Sequence, residues 1–165
     1  LGIDASIRSS GIAFIDSGKV FVKNIQTKKL RGSERLHYIY TEFTSFLEGR
    51  PAPDIVIMEG PSFSSTNKPY LMGEVYGAYK LACFSLYSKE ILLPSPKELK
   101  KYLAGSGDAT KIQMTKSAVN LGCPSAQEDV CDAYASALLG ADILANSNTP
   151  ATRKSLEVIT KYTPS

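Results

Sequence analysis

The chain has 165 residues, 43% hydrophobic and 21% charged, the balance of one ordinary globular domain able to bury a core without staples. Nineteen basic against 16 acidic residues leave a net charge of only +3, which tolerates a polyanionic partner without requiring one. A single histidine and three cysteines without CxxC spacing exclude a histidine-rich or cysteine-built metal cluster, and no stretch is long and apolar enough to cross a bilayer.

In chain order, GIDASI (2–7), GIAFID (11–16) and KVFVKNIQT (19–27) predict three strands, the last two joined by a hairpin turn at Asp16-Ser17-Gly18. Ser33 is placed to cap a helix running to about Leu47, with Leu36, Tyr40, Phe43 and Leu47 on one face and the Arg-Pro-Ala-Pro run stopping it. DIVIMEG (54–60) is short and almost wholly apolar, as suits the middle of a sheet covered on both faces. A polar loop, PSFSSTNK, leads into a helix from Pro69 to Tyr87. Leu71, Val75, Ala78, Ala82 and Leu86 are expected on the sheet. Met72, Tyr76, Tyr79 and Cys83 leave a second apolar flank that asks for another helix or a partner subunit.

EILLP predicts a fifth strand, PKELKKYLA a short helix, GSG (105–107) a flexible connection, and residues 109–121 and 127–144 two further helices. Residues 146–165 read as a partly helical tail without chemistry, beside a domain covering 1–145. Three early strands followed by alternating strands and helices define an α/β fold with a mixed sheet. Cys83, Cys123 and Cys131 are expected as buried thiols, and His37 as a surface or boundary residue.

Asp4 and Glu59 both interrupt apolar runs at the ends of predicted core strands. A buried ionised carboxylate is costly unless paired or metal-bound, and two side by side demand a compensating cation. Asp129 and Asp132 share one face at the start of the last helix, where Ala133, Ala135, Ser136 and Ala137 let that helix approach a sheet closely. Acids at a helix start also serve the macrodipole, and Glu128, one turn from Asp132, could stand in for Asp129. Oxygen ligands without histidine or organised cysteine suit Mg²⁺, with Mn²⁺ as a substitute, rather than zinc. Two ions about 3.5–4 Å apart would suit phosphodiester hydrolysis. Ser9, Ser10 and the serines at 62, 64 and 65 have no nearby histidine to activate them, so a serine triad is not expected. Two basic groups, Lys19, Lys23, Lys28, Lys29 and Arg31, then Lys97, Lys100, Lys101, Lys111 and Lys116, are candidate phosphate contacts.

GIDASIRSSGIAFI, IVIMEGPSF and KKYLAGSGDATKIQMTKSAVNLG leading into EDVCDAYASALLG together resemble the RuvC family of Holliday-junction resolvases, including its phage-type members. The resemblance implies a ribonuclease H-like fold: a five-stranded mixed sheet of three antiparallel strands plus two parallel ones, flanked by helices. It implies catalytic, metal-holding carboxylates at Asp4, Glu59, Asp129 and Asp132, with Lys111 as a catalytic lysine near the scissile phosphate and Lys100, a secondary candidate there, as a DNA contact. It further implies a homodimer, paired through helix 69–87, that cuts branched DNA, preferentially four-way junctions, symmetrically to leave 5′-phosphate and 3′-hydroxyl ends. Phe63 is the candidate junction wedge, with Ser64, Ser65 and Lys116 as further DNA contacts. Gly60-Pro61, where the family often has Gln and a bulky residue, leaves the wedge and the sequence preference open.

The competing readings are a broader flap, fork or Y nuclease, a non-catalytic junction-binding protein, and an ATP-binding sugar-kinase-like protein. The last is disfavoured by a chain too short for two such lobes. The compartment expected is the cytoplasm or another reducing, DNA-containing one. Organelle targeting stays open, because the chain reads as starting inside its first strand.

Overall fold

A computed structural model describes residues 1–61, 69–145, 158 and 161. Strand β1 (Gly2–Asp4) pairs antiparallel with β2 (Ser9–Asp16), which pairs antiparallel with β3 (Lys19–Gln26). Asp16 faces Lys19 across a two-residue turn in which Ser17 and Gly18 both take positive φ, the geometry that matches strand twist in a tight hairpin. Strand β4 (Val56–Met58) adds parallel to β1 and β5 (Ile91–Leu92) parallel to β4, giving the order β3-β2-β1-β4-β5. This is the expected mixed sheet.

Strand alternation assigns each residue to a layer. Leu1, Ile3, Ile12, Phe14, Val56 and Met58 meet α1 (Gly32–Leu47) and α2 (Pro69–Tyr87), where Phe43 and Tyr79 stack edge to face at 5.1 Å. Ala13 and Ile57 serve the opposite layer, built from α3 (Pro96–Ala104), α4 (Lys111–Asn120) and α5 (Glu128–Leu144). Val158 is buried in that second core, and Lys161 pairs with Glu98.

Helix α5 reaches the sheet because two strand glycines leave room for it. A Cβ on Gly2 would overlap the backbone of Ala133 and Ala137, and one on Gly11 the carbonyl of Asp129. Ala133, Ala135, Ser136 and Ala137 are all buried at that contact. The small-residue stripe therefore does what the sequence suggested.

Several local expectations are corrected. Arg31, not Ser33, is the N-cap of α1, and no side chain caps it; Ser33 already lies in the first turn. Ser95 and Thr110 are the true capping residues, each in a reciprocal box, with Glu98 and Gln113. Gly105 is not a free connection: it ends α3 in the left-handed conformation (φ 75°) and donates to the Lys101 carbonyl. On α2, Val75, Tyr79, Ala82 and Cys83 are buried, so Tyr79 and Cys83 belong to the core rather than to a second flank. The outward apolar residues are Tyr70, Leu81, Phe84 and Leu86. All three cysteines are free and buried, and His37 is exposed, as expected.

Candidate active site

Asp4 ends β1 and, two residues on from Gly2, projects to the α5 side. Glu59 follows β4 and shares the side of Ile57. The parallel register Gly2↔Ile57, Ile3↔Met58 continues through a Glu59 amide that donates to the Ile3 carbonyl at 3.1 Å, so the two acids stand at neighbouring strand ends. The strand end is pinned further by the Tyr76 hydroxyl, which donates to the Glu59 carbonyl at 2.5 Å, and by the Gly60 amide, which donates to the Pro94 carbonyl at 2.7 Å. A side chain at Gly60 would press on the carbonyls of Leu93 and Pro94 at 3.1 Å, a local reason for glycine there.

Across from these acids, α5 brings in Glu128, Asp129 and Asp132. Burial, and then the charges of Glu59, Asp132, Asp129 and Glu128, hold the Asp4 carboxyl well above its ordinary range. Burial and Asp132 push Glu59 up to about 7, against the opposing pull of Lys100. Burial, Glu128 and Asp129 push Asp132 up to about 6, with Lys111 and Lys100 opposing. The acids predicted from strand ends and helix spacing therefore share one low-dielectric neighbourhood and repel one another, the condition a bound cation relieves. Among the described residues, no three or more His, Cys, Asp or Glu stand at metal-ligating spacing. The donor set is nonetheless all hard oxygen, half-buried and in electrostatic deficit, which fits a divalent cation of the Mg²⁺ type.

The two helical acids differ in their surroundings. Asp132 faces the strand-end pair, whereas Asp129 is engaged by the sheet: Ser9 Oγ and Asn24 Nδ2 (3.2 Å) both donate to its Oδ2. Lys111 forms an ion pair with Glu128, which raises its pKa, and it also lies in the field of Asp132 and Asp129. Lys116 is exposed one turn further along α4. With Lys111, Thr115, Asn120 and Glu128 it lines an open cavity of about 480 Å³. Lys100 is half-buried and acts on both Glu59 and Asp132. Of the first basic group, Lys23 is taken up by Glu42 at 2.7 Å. Phe63, Ser64 and Ser65 lie outside the described residues.

Ser9, Asn24, Gln26 and Tyr76 were not read from the sequence as parts of the site. Polar residues at alternate positions of β2 and β3, on the side that carries Asp4, were the available signal for the first three. Tyr76 gave none, since its helix face reads as apolar.

A ribonuclease H-like sheet with acids at the adjoining ends of β1 and β4, faced by acids on the closing helix, defines the class. No protein-family model matches the chain. The crossover junction endodeoxyribonuclease RuvC of Caldicellulosiruptor saccharolyticus is 34% identical over 149 residues, covering 84% of this chain and 89% of its own length. That of Carboxydothermus hydrogenoformans is 32% identical over 149 residues, covering 85% and 93%. Among solved structures, Thermus thermophilus RuvC superimposes with a TM-score of 0.71 at 24% identity, covering 90% of this chain and 97% of that one. The same protein in complex with a Holliday junction substrate gives 0.68 at 26%, covering 83% and 88%. The chain belongs to the RuvC family.

Proposed function

We propose that this protein is a divalent-metal-dependent endodeoxyribonuclease that resolves four-way DNA junctions by paired, symmetric phosphodiester hydrolysis. The observation that carries this reading is the convergence of Asp4, Glu59 and Asp132, from two strands and a helix, into one field that raises the proton affinity of each. The curated relatives are named as crossover junction endodeoxyribonucleases, and a structural neighbour binds a Holliday junction, which supports the same substrate class here.

Asp4, Glu59, Asp129 and Asp132 would hold the cations.

 Two ions per site, Mg²⁺ with Mn²⁺ as a substitute, is the loading this donor set suits. Such ions, when bound, would supply charge neutralisation at the phosphate and an activated water. In the hydrolysis the water oxygen would bond to phosphorus as the P–O3′ bond breaks, and the departing O3′ would take up a proton to balance the one lost by the water, leaving a 5′-phosphate and a 3′-hydroxyl. Lys100, whose charge acts on both Glu59 and Asp132, would stabilise negative charge developing on the phosphate. Lys111 and Lys116 extend a basic edge along α4 for the flanking backbone.

Pairing of cuts requires two sites, and α2 offers a surface for a second copy. Tyr70, Gly73, Gly77, Leu81 and Phe84 are exposed along one helical face, and a Cβ at either glycine would meet nothing within 4 Å among the described residues. Two exposed mid-helix glycines suit close approach by a partner helix. Residues 1–145 form the nuclease domain of this reading, with Phe63, Ser64 and Ser65 as junction contacts. The three free, buried cysteines suit a reducing compartment such as the cytoplasm. Among the described residues no helix is long and apolar enough to cross a membrane.

The test is a Mg²⁺-dependent cleavage panel on matched four-way, fork, flap, Y and RNA–DNA hybrid substrates, with cuts mapped on every strand. Paired cuts at symmetric positions of the four-way junction are expected. Equal cutting of forks and flaps would replace the reading with a broader branched-DNA nuclease, and binding without cutting with a non-catalytic junction protein.

A further inference from the structure

The polar residues at the end of the β2–β3 hairpin form a closed network aimed at one carboxylate. Antiparallel pairing sets Ser9 opposite Gln26 and Gly11 opposite Asn24, so alternation puts Ser9, Asn24 and Gln26 on the face covered by α5. Ser9 Oγ has one proton and gives it to Asp129 Oδ2, since an ionised carboxylate can only accept. The Ser9 oxygen then accepts from Gln26 Nε2 at 2.8 Å and from Asn24 Nδ2 at 3.1 Å. Asn24 Nδ2 spends its second proton on Asp129 Oδ2 at 3.2 Å, and Asn24 Oδ1 accepts from Gln26 Nε2. Every amide proton of the two side chains is placed, and the donors all run toward Oδ2 of Asp129. None of them reaches Oδ1.

We propose that Ser9 and Asn24, backed by Gln26, are positioning residues that hold Asp129 Oδ2 and so present Oδ1 toward the cation shared with Asp4, Glu59 and Asp132. The proposal rests on the metal-nuclease reading above. Its physical content is that a carboxylate fixed through one oxygen loses little side-chain freedom when the other binds a metal, so the ordering cost is met by the fold. The close seat of α5 on Gly11 places the Asp129 backbone, but it leaves the carboxylate free to rotate. The network supplies what the backbone contact does not.

The experiment titrates Mn²⁺ into the DNA-free protein by calorimetry, with the bound-Mn²⁺ EPR spectrum as a second readout. Wild type is compared with Ser9→Ala, Asn24→Ala, Ser9→Thr, Gln26→Ala and Asp129→Asn. Ser9→Ala and Asn24→Ala are expected to weaken Mn²⁺ binding by about 10- to 100-fold, the usual effect of losing a group that orients a ligand. Ser9→Thr keeps the hydroxyl and should retain wild-type affinity. Gln26 is exposed, so its truncation spares the fold and still loosens the network; a several-fold weakening is expected. In cleavage, the Ser9→Ala and Asn24→Ala variants should need correspondingly more Mg²⁺ and recover turnover once it is saturating. Wild-type Mn²⁺ affinity in Ser9→Ala, Asn24→Ala and Gln26→Ala, with Asp129→Asn impaired, overturns this proposal and leaves the metal-nuclease reading standing. A wild type that neither binds Mn²⁺ nor cuts a junction with Mg²⁺ overturns that reading, and this one with it.

Discussion

Gly11 of β2 lies directly against the main-chain carbonyl of Asp129, at a separation that leaves no room for a methyl group. The contact joins a strand position to the start of the helix that carries half of the candidate ligands. Gly11→Ala must therefore lift the N-terminal turn of α5 or distort β2. Overpacking of this kind costs about 1–3 kcal/mol, readable as a lower urea midpoint. Displacing Asp129 and Asp132 by about 1 Å is expected to slow cleavage on the order of 10²-fold. Junction affinity, which the proposed function assigns to basic residues elsewhere, should change far less. Cleavage that survives while the protein is measurably destabilised would separate the α5 seat from the chemistry.

Asp4→Asn and Glu59→Gln each remove a charge that the site disfavours. Both are expected to abolish Mg²⁺-dependent cutting while preserving junction binding in a gel-shift assay. In chelator at pH 8 both should also melt higher than wild type, because the cost of burying the charge, and then repulsion among the acids, is relieved. For Glu59→Gln a gain of about 1–2 kcal/mol corresponds to a rise of several degrees in a domain of this size. Unaltered metal-dependent cleavage in either variant would remove that residue from the site.

The same repulsion has a pH signature. Glu59 and Asp132 have folded-state values of about 7 and about 6 against ordinary values of 4.5 and 3.8. A carboxyl raised on folding binds its proton more tightly in the native state, so its stabilising contribution is complete below the ordinary value. That contribution is lost as pH rises through the folded value. In chelator, the stability of wild type relative to Glu59→Gln is expected to fall between about pH 5 and pH 8, followed by differential melting. Saturating Mg²⁺ should flatten that difference by competing with the proton for the same oxygens. A difference constant across this range would mean that Glu59 titrates normally.

Lys111 is paired with Glu128 at the edge of the site. The lysine is largely exposed, so Glu128→Gln should change stability by less than about 0.5 kcal/mol. It frees Lys111 and removes a negative charge beside the proposed DNA contacts, so junction affinity is expected to rise about two- to five-fold at low salt, an order-of-magnitude figure for one surface charge. Lys111→Met should weaken binding and shallow the salt dependence by about one unit. The Glu128 variant also discriminates between the helix acids. If Glu128, rather than Asp129, held the cation, Glu128→Gln would abolish Mn²⁺ binding and cleavage together.

Much of this arrangement was legible in the chain. Asp4 and Glu59 stood out because an acid after an apolar strand has few bland explanations, and Asp129 and Asp132 because i,i+3 spacing shares a helix face. The partners of Asp129 were not legible. Ser9 and Asn24 are 15 residues apart and over 100 from Asp129, and only the hairpin register and the seat of α5 bring them together. The faces of α2 were misassigned for a related reason. That helix is apolar on more than one side, so its pattern could not say which side the sheet would take. Burial of Tyr79 and Cys83 was decided by packing against Phe43 and the strands.

The outward stripe of α2 gives the remaining prediction. In an isolated subunit, Gly77→Ala would favour the helix by roughly 1 kcal/mol, because the added methyl meets nothing. In a dimer whose helices meet at Gly73 and Gly77, the same methyl intrudes on the contact, and association weakens. Sedimentation equilibrium and thermal melting at low and high protein concentration distinguish the two. The dimer reading expects Gly77→Ala to dissociate more readily than wild type, and Phe84→Glu to be monomeric at micromolar concentration. On four-way junctions, the monomeric variant is expected to leave single nicks and wild type paired cuts, since the candidate ligands on α5 and the strand ends are untouched. Paired cutting by a demonstrably monomeric Phe84→Glu would show that α2 does not set the geometry of the two incisions.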